Sequence, residues 1–281
     1  MCLGGGMDVS GLTPIEQTAL LTEYCRALDS RAARPILGDR HAEVTVGEID
    51  YDFTTLAATP SVVPLVALRA KMLDERIRSF ITEHPDAVVV DLGAGFNSAV
   101  LRVDPPPTVD WYSVDLPAVI AVRQALLPAH DRDRAVPASL LEPDWAEAIP
   151  ADRPTMAFAD GLVAFLDEAD VIAILRRITG HFACGVIAFN DYGPVSKLNR
   201  LVGKVATVSK TNSPHNQWNF PGFKDARRPE AWNPDLTLLE EASVMRRPET
   251  ALFPAGLRLA GRLSHRVPAI ARKARILQYR F

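Results

Sequence analysis

Hydrophobic positions along the chain follow two different periods. Over residues 13–33, Leu20, Leu21, Tyr24 and Leu28 recur at helical spacing between a Thr13-Pro14 start and a Pro35 stop. A second helix is predicted over 64–81, with Leu65, Leu68, Met72, Leu73, Ile77 and Phe80 on one side. The period then shortens. Ala87-Val88-Val89-Val90-Asp91 is a β-branched run bounded by His84-Pro85 and by glycines, the pattern of a parallel strand buried on both faces. Strands and helices alternate from there: a strand over 111–115 and a helix over 117–127, a strand over 134–138 weakened by Pro137, a strand over 155–159 and an amphipathic helix over 168–178, and a strand over 185–189. The stretch 192–233 is polar and aromatic without a consistent period, and long irregular segments of this kind are lids or binding loops. Two last strands, 236–245 and 275–281, are expected to form an antiparallel pair closing a mostly parallel sheet.

Composition narrows the classes. At 281 residues the chain suits one large α/β domain with additions. The expected division is an N-terminal helical cap over 1–82 and a main domain over 83–281, with a lid insertion at about 192–235. A formal charge of −3, from 31 basic and 34 acidic residues, supplies no field to hold a phosphate backbone, so nucleic acid is not an expected partner. Cys2, Cys25 and Cys184 have no CxxC or Cys/His spacing, so neither zinc site nor disulfide framework is expected and the thiols read as those of a cytoplasmic protein. No export signal or membrane-length apolar run is seen, and residues 1–6 read as a leader ahead of Met7. No metal-ligand spacing is present, and a homodimer is left open.

The candidate chemistry begins at Asp91-Leu92-Gly93-Ala94-Gly95, directly after the first strand of the alternating region. Glycines there let the backbone turn sharply and approach a ligand, although an ordinary strand-to-helix turn reads the same way. Asp115 follows 20 positions after Gly95 at the end of the next strand. It has two readings, a ribose-binding carboxylate or an N-cap for the helix starting at Pro117. A dinucleotide site extends the glycines to GxGxxG, and Ser98 holds the third position here. S-adenosyl-L-methionine carries no phosphate and does carry an ammonium, which an acidic residue such as Asp91 favours.

The runs Val66-Ala67-Leu68-Arg69-Ala70-Lys71-Met72-Leu73-Asp74, Val89-Val90-Asp91-Leu92-Gly93-Ala94-Gly95 and Trp111-Tyr112-Ser113-Val114-Asp115-Leu116-Pro117 resemble the leucine carboxyl methyltransferase family. Within it the likeness is to the tetracenomycin O-methyltransferase branch, which acts on polyketide-type substrates. The resemblance implies a Rossmann-like class I methyltransferase fold, with a seven-stranded, mostly parallel α/β sheet whose last strand is antiparallel. It implies that Arg69 grips the cofactor's carboxylate, that Gly93, Ala94, Gly95 and Asn97 face the methionine part, and that Asp115 and Leu116 meet ribose and adenine. Ser139-Leu140 stands where the family has Asp-Leu near the adenine, and Asp160-Gly161-Leu162 where it has Glu-Gly-Leu. Phe96-Asn97-Ser98-Ala99 replaces the family's Leu-Asp-Thr-Arg, which implies a reshaped pocket.

The acceptor side is read from the residues near the irregular stretch. A carboxylate acceptor needs no base, whereas a phenol of pKa near 10 benefits from one. His215 offers such a base, and a surface or structural histidine is the competing reading. Asn190, Asp191 and Tyr192, at the carboxyl end of the fifth strand, stand where α/β enzymes bind ligands, and Asn190 and Tyr192 join His215 as candidate catalytic residues; Tyr192, Trp218 and Phe220 offer faces to a flat aromatic substrate or, equally, hold the loop to the core. The expected activity is methyl transfer to a hydroxyl or carboxylate of a small aromatic polyketide-like acceptor. A protein C-terminal carboxyl methyltransferase, an NAD-dependent oxidoreductase and a non-catalytic nucleoside-binding protein are the alternatives.

Overall fold

The structure, a computed structural model, describes residues 6–193 and 218–281. Its main sheet contains β1 (Val88–Leu92), β2 (Asp110–Asp115), β3 (Asp133–Pro137), β4 (Thr155–Ala159), β5 (Gly185–Asp191), β6 (Thr237–Ser243) and β7 (Arg275–Arg280). The spatial order is 3-2-1-4-5-7-6. β1 pairs in parallel with both β2 and β4, so that Val90 lies opposite Tyr112 and Ala157. β7 enters antiparallel between β5 and β6, with Leu277 opposite Phe189 and Glu241. The chain order reverses between β1 and β4, and in open parallel sheets the crevice at the carboxyl ends beside that point takes the ligand.

Burial explains the strand patterns. Every residue of β1, β4 and β5 is buried, as continuous apolar strands covered on both faces require. β3 is an edge strand, where Pro137 removes no ladder hydrogen bond from a central position. On one face, Leu68, Met72 and Ile77 of a helix α3 (Val62–Glu83) pack with Val89, Trp111 and Phe158; α1 (Thr18–Ser30) and α2 (Arg40–Glu48) precede it in the chain. α4 (Ala99–Val103), α5 (Pro117–Leu126) and α6 (Glu168–His181) follow, and Ile174 and Ile178 of α6 pack with Val90 and Ile187 on the opposite face. Leu20 and Ala27 of α1 and Val46 of α2 form a third cluster with Phe96 and Val119 of α5.

α3 packs into the sheet's own core, whereas α1 and α2 contribute to the third cluster. The first predicted helix starts later than 13, because Glu16 Oε2 accepts from Thr13 N (2.7 Å) and Oγ1 (2.6 Å) and closes a turn before α1. α2 escaped the pattern because it buries only Ala42, Thr45 and Val46; its signal was Asp39, which N-caps it by accepting from Ala42 N at 3.2 Å.

The 192–235 stretch is not irregular throughout. It contains α7 (Arg228–Trp232), and Phe220 and Phe223 sink into the core beside Phe189. Residues 194–217 of it lie outside the described residues. α8 (Ala255–Ser264) and α9 (Pro268–Ala271) join β6 to β7. Arg275, which closes a basic stretch of the chain, is fully buried, donating to Asp191 Oδ2 (2.8 Å) and to Phe223 O (2.5 Å). No helix among the described residues is long and apolar enough to cross a membrane.

Candidate active site

A cavity of about 650 Å³ opens where the carboxyl ends of β1, β2, β4 and β5 meet α1 and α3. Its floor is the glycine turn after β1. Gly93 and Gly95 have φ of +66° and +50°, a region L side chains rarely adopt. A Cβ on Gly95 would sit 3.1 Å from that of Ala19, so α1 closes on the turn only over glycine. Asp115 clamps this turn to the next strand: its Oδ2 accepts from Gly95 N at 2.6 Å and its Oδ1 from Leu116 N at 2.7 Å. It does not N-cap α5, whose cap residue is Leu116. Burial raises the Asp115 carboxyl above its ordinary pKa, with the two N–H groups pulling the other way.

A buried ion cluster forms the opposite wall. Arg69 Nε lies 2.6 Å from Asp160 Oδ1, and Arg26 Nη1 lies 3.7 Å from Asp160 Oδ2. Neither contact has hydrogen-bond geometry, and Arg69 Nη2 is a buried donor with no hydrogen-bond partner. Arg69 Nη1 donates to the Tyr192 hydroxyl. Burial works against the Arg69 charge, yet Asp160, with Tyr192 and Cys25, together more than offset it and raise the guanidinium pKa. Gly161, at φ +90°, donates its N–H to Asn190 Oδ1 at 2.6 Å, and a Cβ there would meet Arg69 Nη2 at 3.0 Å. Behind Arg26, burial pushes Glu23 up to about 7, with Arg26 itself holding it down.

The remaining wall is largely apolar, with Val62, Leu65, Val66 and Phe165 among its residues. Tyr192 and Trp218 stack there with centroids 4.1 Å apart at 20°. Burial raises the Tyr192 phenol above its ordinary value, against the pull of Arg69.

The structure brings together Arg69, Gly93, Ala94, Gly95, Asn97, Asp115, Leu116, Ser139, Leu140, Asp160, Gly161 and Leu162 on one cavity, with Asn190, Tyr192 and Trp218. Two expected residues lie elsewhere. Asp91 is sealed behind the turn, accepting from Asn97 Nδ2 at 3.1 Å, and burial pushes its pKa up to about 8 despite nearby Arg123. Phe220 does not line the main cavity, because it packs on Phe223 at 4.7 Å inside the core. His215 lies outside the described residues. Reasoning from sequence missed Arg26, Thr22 and Lys273 on the wall. The available signal for Arg26 was Glu23, Arg26 and Asp29 recurring every three positions, a charged stripe that α1 turns inward.

The donors and apolar surfaces fit S-adenosyl-L-methionine: an orphan guanidinium N–H suits a carboxylate, positive-φ glycines leave room for a thioether chain, and a carboxylate ends β2 at the ribose position. Strand order and cavity together define a Rossmann-like methyltransferase. Residues 18–179 match the leucine carboxyl methyltransferase family model. The chain is 34% identical to the tetracenomycin polyketide synthesis O-methyltransferase TcmP of Streptomyces glaucescens over 96% of this chain and 98% of that one. It is 32% identical to the S-adenosyl-L-methionine-dependent methyltransferase dpfgK of Gibberella zeae, over 66% and 68%. A solved Thermobifida fusca protein assigned as a methyltransferase superposes with a TM-score of 0.55 at 16% identity, over 91% of this chain and 93% of that one. The chain belongs to the leucine carboxyl methyltransferase family and is an S-adenosyl-L-methionine-dependent methyltransferase.

Proposed function

We propose that this enzyme methylates an oxygen, hydroxyl or carboxylate, of a small flat aromatic acceptor of the polyketide kind. The observation that carries this reading is the apolar wall of Val62, Leu65, Val66 and Phe165 facing the cofactor end of the cavity, with the Tyr192–Trp218 stack beside it. A flat, apolar acceptor gains from such a surface in proportion to the area it removes from water. The relation to TcmP, named as a polyketide O-methyltransferase, points the same way.

In this reading Arg69 holds the cofactor's carboxylate through Nη2, Asp160 its ammonium, Asp115 its ribose, Leu116 and Leu140 flank its adenine, and Leu162 packs at the Gly93 turn. When bound, S-adenosyl-L-methionine supplies an electrophilic methyl group on a sulfonium. The protein's share is alignment and exclusion of water, which suit a displacement in which opposite charges vanish. Tyr192 keeps its proton at neutral pH because burial raises its pKa, so it orients rather than deprotonates. Asn190, holding Gly161 N, fixes the loop that carries Asp160.

Calorimetric titration with S-adenosylhomocysteine and separately with NAD, on the parent and on Asp115→Ala, tests the cofactor assignment. A panel of aromatic phenols and acids then tests the acceptor, with base-labile methanol release separating esters from ethers. Methylation of neither group by a protein that binds S-adenosylhomocysteine would overturn the acceptor reading.

A further inference from the structure

The segment between β6 and β7 carries a surface that the methyltransfer site does not use. Residues 250–274 contain five arginines or lysines and no acidic residue, whereas the whole chain is at −3, so the remainder carries about −8. Within that basic segment Leu252, Leu259, Leu263 and Val267 are 37%, 56%, 41% and 41% exposed. Leu259 and Leu263 stand one turn apart on α8, and Arg258, Arg262 and Arg266 run alongside them, all exposed and in no ion pair among the described residues.

The outward setting of these leucines is built in. α8 turns Gly261 and Ser264 inward, where a Cβ on Gly261 would meet Met245 O at 3.1 Å and Ser264 Oγ donates to Gly261 O at 2.6 Å. Arg246 Nη2 donates to Ser264 O at 3.1 Å and pins the helix end. Leu257, one turn before Gly261, packs on the core from that inner face, so the helix already has its buried side and Leu259 and Leu263 stand on the other. An amphipathic helix whose apolar stripe faces water and whose flanks are basic matches a partner with the opposite charge and the same stripe.

We propose that α8 and the turn that follows it dock an acidic amphipathic helix of a partner protein, with Leu259 and Leu263 in the apolar stripe and Arg258, Arg262 and, from the turn, Arg266 on the partner's carboxylates. A second copy placed symmetrically would set basic flank against basic flank. A broad anionic surface would also face the net negative remainder of the chain.

The test is fluorescence anisotropy with a labelled helical peptide bearing leucines on one face and glutamates on the other, against a peptide of equal composition with the stripe scrambled. The parent is expected to bind the amphipathic peptide at least about tenfold tighter than the scrambled one. Leu259→Ser/Leu263→Ser is expected to erase that preference, and Arg258→Glu/Arg262→Glu/Arg266→Glu to remove binding and its salt dependence. Affinity for S-adenosylhomocysteine and melting temperature, unchanged in both variants, control for folding. Equal binding of the two peptides, or no effect of the leucine variant, overturns the proposal. Preferential binding to phosphatidylglycerol vesicles, or a dimer in sedimentation that the leucine variant dissociates, overturns it in favour of a lipid surface or a second copy.

Discussion

The Arg69–Asp160 pair offers a perturbation in which stability and ligand binding separate. Both side chains are buried, and Asp160 has Arg69 Nε at 2.6 Å and Arg26 Nη1 at 3.7 Å. Arg69→Met removes the nearer cation and leaves the carboxylate with the weaker contact. Breaking a buried pair from one side costs about 3–5 kcal/mol; retained Arg26 keeps the expected loss near the lower end, about 3 kcal/mol, or roughly 5 °C in melting temperature for a chain of this size. Asp160→Asn leaves Arg69 without its carboxylate, while Arg26 keeps Glu23, and is expected to cost a similar amount. In the double variant the charges are removed together, so its loss falls short of the sum by about 1–3 kcal/mol. The binding readout behaves differently. If Arg69 Nη2 receives the cofactor's carboxylate, Arg69→Met weakens S-adenosylhomocysteine by about 2–4 kcal/mol, on the order of 30- to 1000-fold, and the double variant does not recover it. Urea denaturation and calorimetry on the four proteins give both quantities. Additive stability losses would refute the ion-pair account, and unchanged affinity in folded Arg69→Met would falsify the assignment of Arg69 to the carboxylate.

Four further variants have expected outcomes. Gly161→Ala forces an L residue to φ +90° and a Cβ to 3.0 Å from Arg69 Nη2, so a loss of about 1–3 kcal/mol in urea denaturation is expected together with weakened S-adenosylhomocysteine; a neutral variant would contradict the strained turn. Asp91 and Glu23 are both raised, from 3.8 to about 8 and from 4.5 to about 7. The folded state therefore holds protons that the unfolded state releases, and these groups favour folding below pH 4 and lose that contribution as pH climbs toward 8. Asp91→Asn is expected to flatten the decline between pH 5 and 8.5, and an equally steep decline in parent and variant would exclude Asp91 as its source. Phe220→Ala is expected to cost about 3–5 kcal/mol through an emptied core site while sparing S-adenosylhomocysteine affinity. Trp218→Ala, at the cavity wall, is expected to weaken aromatic acceptors with a small loss of stability, and the reverse pattern would return Phe220 to the site.

Much of the fold was legible because strong local signals agreed with the global arrangement. Val88-Val89-Val90 reads as a covered parallel strand, since only residues buried on both faces can be apolar without alternation. The glycine turn and Asp115 were visible because chemistry at a strand end needs fixed spacing along the chain. Gly93 and Gly95 do take the positive φ that such a turn needs. Pro137 weakened the third strand on paper, but tertiary placement at an edge made it harmless.

Other features depend on what meets what in space. Arg26 looks like one charge among several on α1, and only the approach of the β4 loop places it beside Asp160. Phe220 and Trp218 are two positions apart and equally aromatic, yet one lies in the core and the other on the cavity wall, because Phe223 and Phe189 occupy the space beneath Phe220. Arg275 sits in a basic run and still folds inward, since β7 threads between β5 and β6 and delivers it to Asp191 and Glu241. Hydrophobic period and turn chemistry are local and can be read along the chain. The partner of a buried charge and the facing of an aromatic ring are set by strand order and close packing, which only the tertiary structure decides.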